Sequence, residues 1–128
     1  MANPWIEMVT EFHRKFGHPV AIKPSVLKAR IELRRELIKE ECEETRDALL
    51  FFDTQQTADG ICDAIYVLIG TALECGIDLD PIFAEVHRSN MDKIGGTTRE
   101  DGKTLKPEGW KPPRIRELLI EQGWEPWP

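Results

Sequence analysis

The sequence has few of the residues that mark disulfide-rich, zinc-binding or membrane-spanning proteins. Its 128 residues include only three cysteines and three histidines. Cys42, Cys62 and Cys75 fall inside predicted helices without CxxC spacing, so we expect reduced, buried thiols, no zinc and a cytoplasmic setting. The longest apolar run, residues 64–73, is too short to cross a bilayer, so no membrane partner is expected.

Positive charge is also scarce relative to negative charge. The 17 lysines and arginines are outnumbered by 23 aspartates and glutamates, which gives a formal net charge of −6. This balance argues against a surface that binds a nucleic-acid polymer, although a local basic pocket for phosphates stays open. Glu7 and Glu11 interrupt the first apolar segment, so we do not expect a signal peptide.

Apolar periodicity predicts an all-α chain of four to five helices. Their predicted positions are residues 3–16, about 25–52, about 58–76, 80 to about 95, and about 114–122. We treat residues 1–128 as a single domain, with a helical core over 1–95 and a C-terminal loop and short helix over 96–128. That loop has some β character, and Trp124 and Trp127 are expected to dock on the body or on a partner.

The third predicted helix is apolar nearly all round, so it should be buried. A chain of this length can hardly cover such a helix by itself. We therefore expect a homo-oligomer, either a dimer or a tetramer.

Acidic side chains of two neighbouring predicted helices point toward apolar faces. On a helical wheel with about 100° per residue, Glu41 and Glu44 lie in the apolar stripe of the second helix. Glu40 lies at the edge of that stripe, and Glu43 lies outside it. The third helix carries one polar line at i+3 and i+4 spacing, formed by Asp59, Asp63, Tyr66, Gly70 and Glu74.

Buried carboxylates are costly unless they are paired or bind a metal. We therefore interpret the inward acids as ligands for Mg²⁺, with Mn²⁺ as a substitute. The predicted ligands are Glu41, Glu44, Asp59 and Asp63. Two alternatives stay open, because acid-rich helices are usually solvated and because Arg34, on the same apolar face, could form a buried ion pair.

Cations that could contact phosphate occur in the second half of the chain. Asn90 and Lys93 share a flank at the end of the fourth predicted helix, and Arg99 and Lys103 follow in the loop. A simpler interpretation is that Asn90 and Lys93 only complement a helix C-terminus, where cations are favoured.

These motifs resemble the all-α nucleoside-triphosphate pyrophosphohydrolases, which include MazG, the dimeric dUTPases and phosphoribosyl-ATP pyrophosphohydrolase. The family's EExxE motif is similar to Glu40-Glu41-x-x-Glu44, and its ExxD motif falls on GICD at residues 60–63. The runs YVLIGTALECGID, HRSNMDK and DGKTLKPEGWKPP add to the resemblance, which covers roughly residues 25–122. Because the ExxD glutamate falls on Gly60, we infer that Asp59 substitutes for it.

The resemblance implies a MazG-like helical bundle that is completed by oligomerisation. It also implies Mg²⁺-dependent hydrolysis of a nucleotide at the α–β phosphate linkage, with Glu40 and Glu41 as the catalytic residues. The implied contacts with the nucleotide and its phosphates are Tyr66, Asn90, Lys93, Arg99 and Lys103. The competing hypothesis is a non-catalytic helical module for nucleotide binding or assembly, whose acids pair with arginines.

Overall fold

The structure, a computed structural model, describes residues 3–126 and is helical without strands over that range. Its α-helices are α1 (Pro4–Phe16), α2 (Ile31–Leu50), α3 (Thr54–Glu74), α4 (Leu79–Met91) and α5 (Ile115–Glu121), and a 3₁₀ turn (Lys28–Arg30) precedes α2. Thr98 and Thr104 form an isolated antiparallel bridge, the only trace of β structure in the described loop. The all-α prediction is confirmed, whereas the expected docking of Trp127 lies outside the described residues.

The chain divides into two compact units, the first ending at Ile77 and the second beginning at Asp78. In the first unit α2 and α3 pack along each other, and α1 packs on α3; in the second unit α4 packs on α5. The single domain over residues 1–128 stays a prediction. No single described helix is long and apolar enough to cross a membrane, and α3 and α4 pass that test only when taken together.

Side-chain caps place the starts of two helices earlier than the sequence predicted. Asp53 caps α3 by accepting a hydrogen bond from the backbone N–H of Gln56 at 2.9 Å. Residues 54–57 are therefore the first turn of α3 and not a break between helices. Similarly, Asp78 caps α4 by accepting a hydrogen bond from the backbone N–H of Asp80 at 3.1 Å, so α4 begins before residue 80, the predicted start.

The segment before α2 is extended, so the prediction that Ser25 begins that helix is wrong. The N–H of Ser25 donates to the carbonyl of Cys75 at 2.8 Å, and the N–H of Ala21 donates to that of Leu73 at 2.9 Å. Carbonyls in the last turn of a helix have no donor within the helix. The segment supplies donors to the end of α3, and helical structure begins only at Lys28.

The core of the first unit is small, and the single chain leaves part of α3 exposed, which agrees with the expectation that a chain of this length can hardly cover this helix. Ile69 and Ala72 are buried, but Ile61 is 46% and Leu68 is 48% exposed. This exposure arises because only α1 and α2 pack on α3 within the unit.

The three cysteines are free, but the prediction that they are buried is also wrong for two of them. Cys42 and Cys62 are exposed on their helices, and Cys75 is half-buried at the end of α3. Position inside a helix was a poor guide to burial here, because part of each helix surface remains exposed to solvent.

The most buried ionic group is Glu74, whose side chain is 1% exposed. Its carboxylate accepts from Nε of Arg30 at 2.6 Å and from Nη1 of Arg34 at 2.8 Å. Burial opposes ionisation, but the two arginines outweigh it and hold the pKa of Glu74 below its usual value. The buried acid–arginine pair that the sequence left open therefore exists, at Glu74 and not at the predicted metal ligands.

Gly70 allows α1 and α2 to approach α3 beside this ion pair. A Cβ atom at Gly70 would lie 2.7 Å from Nε2 of His13 and 2.8 Å from Nη2 of Arg34. His13 is buried, and its Nδ1 donates to the carbonyl of Pro19 at 3.0 Å. Burial lowers the pKa of His13, so the neutral imidazole adds no positive charge beside the guanidinium of Arg34.

We expect Glu74→Gln to lower the free energy of unfolding by about 3 kcal/mol, because it leaves two arginines without their buried counter-charge. The lowered pKa means that this contribution is present above the usual value of 4.5 and is lost as pH falls through the folded value. Urea unfolding at neutral and acidic pH measures both effects.

The matched control is Glu32→Gln, which removes an exposed partner of Arg35 at 3.4 Å. It should change stability by less than about 0.5 kcal/mol. A loss equal to that of Glu74→Gln would contradict the structural role of the buried pair.

Candidate metal and nucleotide site

Glu41 on α2 has a carboxylate oxygen that is buried and isolated. Its Oε2 has no hydrogen-bond partner among the described residues. Burial raises the pKa of Glu41, the charges of Glu44 and Asp63 raise it further, and Glu40 adds a smaller contribution. An acid in this position is unfavourable in its charged form unless a cation offsets the charge.

α2 and α3 approach each other closely one turn after Glu41, at Thr45 and Gly60. A Cβ atom at Gly60 would lie 2.6 Å from Oγ1 and 3.1 Å from Cα of Thr45. The hydroxyl of Thr45 donates to the carbonyl of Glu41 at 2.7 Å, so it is held against α2. The helix contact occupies the space that a side chain at position 60 would need, and it brings Asp63 of α3 near Glu41.

The remaining predicted acids are more exposed than the helical wheel suggested. Glu44 is exposed, although its charge still acts on Glu41. Asp59 is also exposed, and it is not among the carboxylates that most raise the pKa of Glu41. Glu40 is exposed beside Glu41, as its position at the edge of the stripe predicted.

The acids form a donor set for a cation, but they are not yet gathered closely around one point. Within residues 3–126, no three acidic, histidine or cysteine side chains lie close enough to hold one ion. Glu41 and Glu44 already approach within hydrogen-bonding range, but like charges repel, so a third carboxylate at the same point requires a cation to offset the charge. The buried oxygen of Glu41 and the all-oxygen neighbours Glu44 and Asp63 fit a hard divalent ion such as Mg²⁺.

Tyr66, one turn after Asp63, borders an apolar pocket that the sequence did not predict. The pocket has a volume of about 160 Å³ and lies between α1 and α3. The ring of Tyr66 also meets Phe12 edge-on, with 5.5 Å between ring centroids. The residues that line the pocket are Trp5, Met8, Val9, Cys62, Ile65, Tyr66 and Ile69. The aromatic residues of α1 were visible in the sequence, but only tertiary packing places them beside Tyr66.

The predicted phosphate contacts lie in the second unit and differ in how free their side chains are. Nε of Arg99 donates to Oδ1 of Asp101 at 2.8 Å, so a phosphate would have to compete with that carboxylate. Nζ of Lys93 lies 5.6 Å from the ring centroid of Trp110, a contact that the sequence analysis missed. Three of the predicted contacts are exposed: Asn90, Arg99 and Lys103.

The helical fold and the acids of α2 and α3 agree with the class of all-α nucleotide pyrophosphohydrolases, which a family comparison shows. The sequence model of the phosphoribosyl-ATP pyrophosphohydrolase family matches residues 9–90, which is more than half of the chain. The chain therefore belongs to this family, within the MazG-like nucleoside triphosphate pyrophosphohydrolase superfamily. A search of curated proteins finds no match to the chain.

Membership of the family makes the protein a hydrolase that acts on phosphoric anhydrides of nucleotides. It also confirms the resemblance that the acidic motifs indicated. The matched region includes the acids of α2 and α3 and ends at Asn90, before Lys93 and the following loop.

We expect Gly60→Ala to destabilise the protein by about 1–3 kcal/mol through overpacking against Thr45. The sign of the change in the free energy of unfolding is informative, because a glycine-to-alanine change inside an unobstructed helix usually stabilises the helix by about 1 kcal/mol. Chemical denaturation measures the change.

The double variant Thr45→Ala/Gly60→Ala should lose less stability than the sum of the two single variants, because the clash with Oγ1 is removed. An increase in stability for Gly60→Ala alone would contradict the close helix contact.

Proposed function

We propose that this chain is a Mg²⁺-dependent pyrophosphohydrolase that cleaves the α–β linkage of a nucleoside or deoxynucleoside triphosphate, or of a related nucleotide. The products would be the monophosphate and pyrophosphate. The observation that carries the proposal is the buried, unpartnered Oε2 of Glu41 beside the charges of Glu44 and Asp63. A carboxylate oxygen with no donor, next to two further carboxylates, is complementary to a cation.

The metal would be held by Glu41, Glu44 and Asp63, with Asp59 as a further proposed ligand. When bound, Mg²⁺ neutralises phosphate charge and lowers the pKa of a coordinated water, and Mn²⁺ is an expected substitute. Asp59 is the weakest member of the set, because it is exposed and is not among the carboxylates that most raise the pKa of Glu41.

Glu40 is proposed to orient the attacking water and to accept its proton. Its position beside Glu41 and its exposure leave the carboxylate free to reach a water molecule. The water oxygen bonds to the α-phosphorus while the bond from that phosphorus to the bridging oxygen breaks. Pyrophosphate then leaves with the bridging oxygen.

Lys93, with Asn90, Arg99 and Lys103, is proposed to bind the negatively charged phosphates. Lysine supplies a mobile point charge and asparagine supplies an amide donor. We further propose that Tyr66 contacts the nucleoside, since its ring borders an apolar pocket whose lining suits a flat aromatic ring better than a phosphate.

We also propose that the protein is a homo-oligomer of at least two chains. Four consecutive apolar side chains at the end of α2 are 60–93% exposed: Leu49, Leu50, Phe51 and Phe52. Large apolar side chains that are exposed together in this way are typical of an interaction surface. A second copy would cover them, and the cytoplasmic setting stays a prediction from the cysteine pattern.

The test is nucleotide hydrolysis by Glu41→Gln and Asp63→Asn, with release of pyrophosphate as the readout. Each variant should lose on the order of 100-fold or more in kcat, because a neutral amide cannot replace an anionic ligand. Asp59→Asn tests whether Asp59 is the fourth ligand. A comparable loss of kcat would show that Asp59 binds the metal, whereas an unchanged kcat and an unchanged number of bound metal ions would show that it does not.

Glu43→Gln is the control, because Glu43 is exposed on α2 and is not among the carboxylates that most raise the pKa of Glu41. It should retain wild-type activity, and circular dichroism should show unchanged helical content in all variants. An equal loss from Glu43→Gln would refute the site. Light scattering of the same samples tests assembly, and a monomeric mass would contradict the homo-oligomer.

A further inference from the structure

In the second unit, two lysine side chains converge on one aromatic ring. The Nζ atom of Lys106 lies 4.8 Å from the ring centroid of Trp110, and that of Lys93 lies 5.6 Å from it. Both distances are within the range over which an ammonium group is attracted to an indole face. Two like charges held near one ring also repel each other, so the arrangement favours an anion beside them.

The indole ring is fixed at the end of α4. Nε1–H of Trp110 donates to the backbone carbonyl of Ser89 at 2.6 Å, and Ser89 is 2% exposed. The backbone N–H of Trp110 also donates to the carbonyl of Pro107 at 3.2 Å, which tightens the chain between Lys106 and the ring. The ring is therefore anchored to the helix that precedes Lys93.

The backbone of the loop brings Lys106 back to Lys93. The N–H of Leu105 donates to the carbonyl of Thr97 at 2.7 Å. Gly96 lies so close to the carbonyl of Leu105 that no Cβ atom would fit between them. The two lysines are thus brought together by a folded loop, although their positions in the sequence are well separated.

These lysines also differ from Arg88 of the same unit in having no carboxylate partner among the described residues. Arg88 is paired with Glu85 at 2.8 Å and with Asp92 at 2.9 Å. The hydrogen bonds from Arg88 and from the backbone N–H of Arg114 lower the pKa of Glu85 to about 2. Within residues 3–126, neither Lys93 nor Lys106 forms an ion pair with an acid. Their positive charge remains available to an anionic ligand.

We propose that Lys106 and Lys93 form a phosphate-binding pair and that Trp110 positions it. The proposal rests on the proposed function, since the phosphates would belong to the nucleotide or to the pyrophosphate product. Two compact ammonium groups can contact neighbouring phosphate groups of the same polyphosphate, and each can move away from the indole face to do so. Trp110 contacts the lysines and not the phosphates, so it is a positioning residue.

Isothermal titration with inorganic pyrophosphate in the presence of Mg²⁺ tests binding directly, and steady-state kinetics tests its use. Lys106→Gln should weaken pyrophosphate binding and raise KM by about tenfold, while kcat changes by less than about twofold. Lys106 is exposed, so the variant should fold as the wild type does. Lys111→Gln is the matched control, because it removes the same charge from another exposed position in the loop and should change neither value.

Substitutions of Trp110 test whether its ring positions the two lysines or only stabilises the fold. Trp110→Phe keeps an aromatic face but loses the hydrogen bond to Ser89, and Trp110→Leu loses both. Pyrophosphate affinity should therefore fall from wild type to Trp110→Phe to Trp110→Leu. Pyrophosphate should also change the tryptophan fluorescence of the wild type and leave that of Trp110→Phe unchanged, which a merely structural role would not produce.

The outcomes distinguish a failure of the proposed phosphate-binding pair from a failure of the proposed hydrolase function. If the wild type binds pyrophosphate through Lys106 but hydrolyses no nucleotide, the proposed function fails and the phosphate-binding pair stands. If hydrolysis is normal while Lys106→Gln binds pyrophosphate as the wild type does, the pair is overturned and the hydrolase stands. A loss from Lys111→Gln equal to that from Lys106→Gln also overturns the pair.

Discussion

α2 and α3 pack so closely at Thr45 and Gly60 that the carboxylate of Glu41, one turn away, is partly removed from water. Asp63 lies one turn along α3, and Glu44 lies one turn along α2, so both charges act on Glu41. Helix packing thereby places carboxylates close enough to repel one another, and among the residues of the two described helices no positive charge offsets this repulsion. The proposed metal site, and with it the proposed chemistry, depends on this repulsion.

A second buried acid in the same helix pair shows how the chain offsets such a charge elsewhere. Glu74 has two arginine partners, and its pKa is lowered. Glu41 has no basic partner among the described residues, one of its oxygens has no hydrogen bond, and its pKa is raised. Since arginine is used where a buried acid serves stability, the isolation of Glu41 favours a role in binding a cation.

Much of this arrangement could be predicted from the sequence, because helical periodicity alone assigns residues to faces. The wheel placed Glu41 inward and Glu43 outward, and it noted the polar line that contains Asp63 and Glu74. It could not predict which acid would meet an arginine, because that choice depends on how α1 and α2 approach Gly70. The absence of a glutamate at Gly60 was visible, but its cause, the contact with Thr45, was not.

Other features depend on tertiary structure and escaped prediction for that reason. The second predicted helix was expected to begin near Ser25, but the N–H of Ser25 donates to the carbonyl of Cys75 at the end of α3. The apolar character of α3 indicated more surface than one chain could cover, but which of its residues stay exposed depends on the elements that pack on it. Lys106 and Trp110 carry no periodic signal, and the loop must fold before Trp110 and Lys93 meet.

The most direct test of the central claim is the melting temperature of the wild type and of Glu41→Gln, each measured in EDTA and in saturating Mg²⁺. Without divalent cations Glu41→Gln should be the more stable protein, by about 1 kcal/mol, because it removes a buried and repelled charge. Mg²⁺ at about 100 times its Kd should then stabilise the wild type by roughly 2.7 kcal/mol and leave Glu41→Gln nearly unchanged, so the order reverses. If Glu41→Gln is less stable in EDTA and gains as much from Mg²⁺ as the wild type does, Glu41 is a structural residue and the account is wrong.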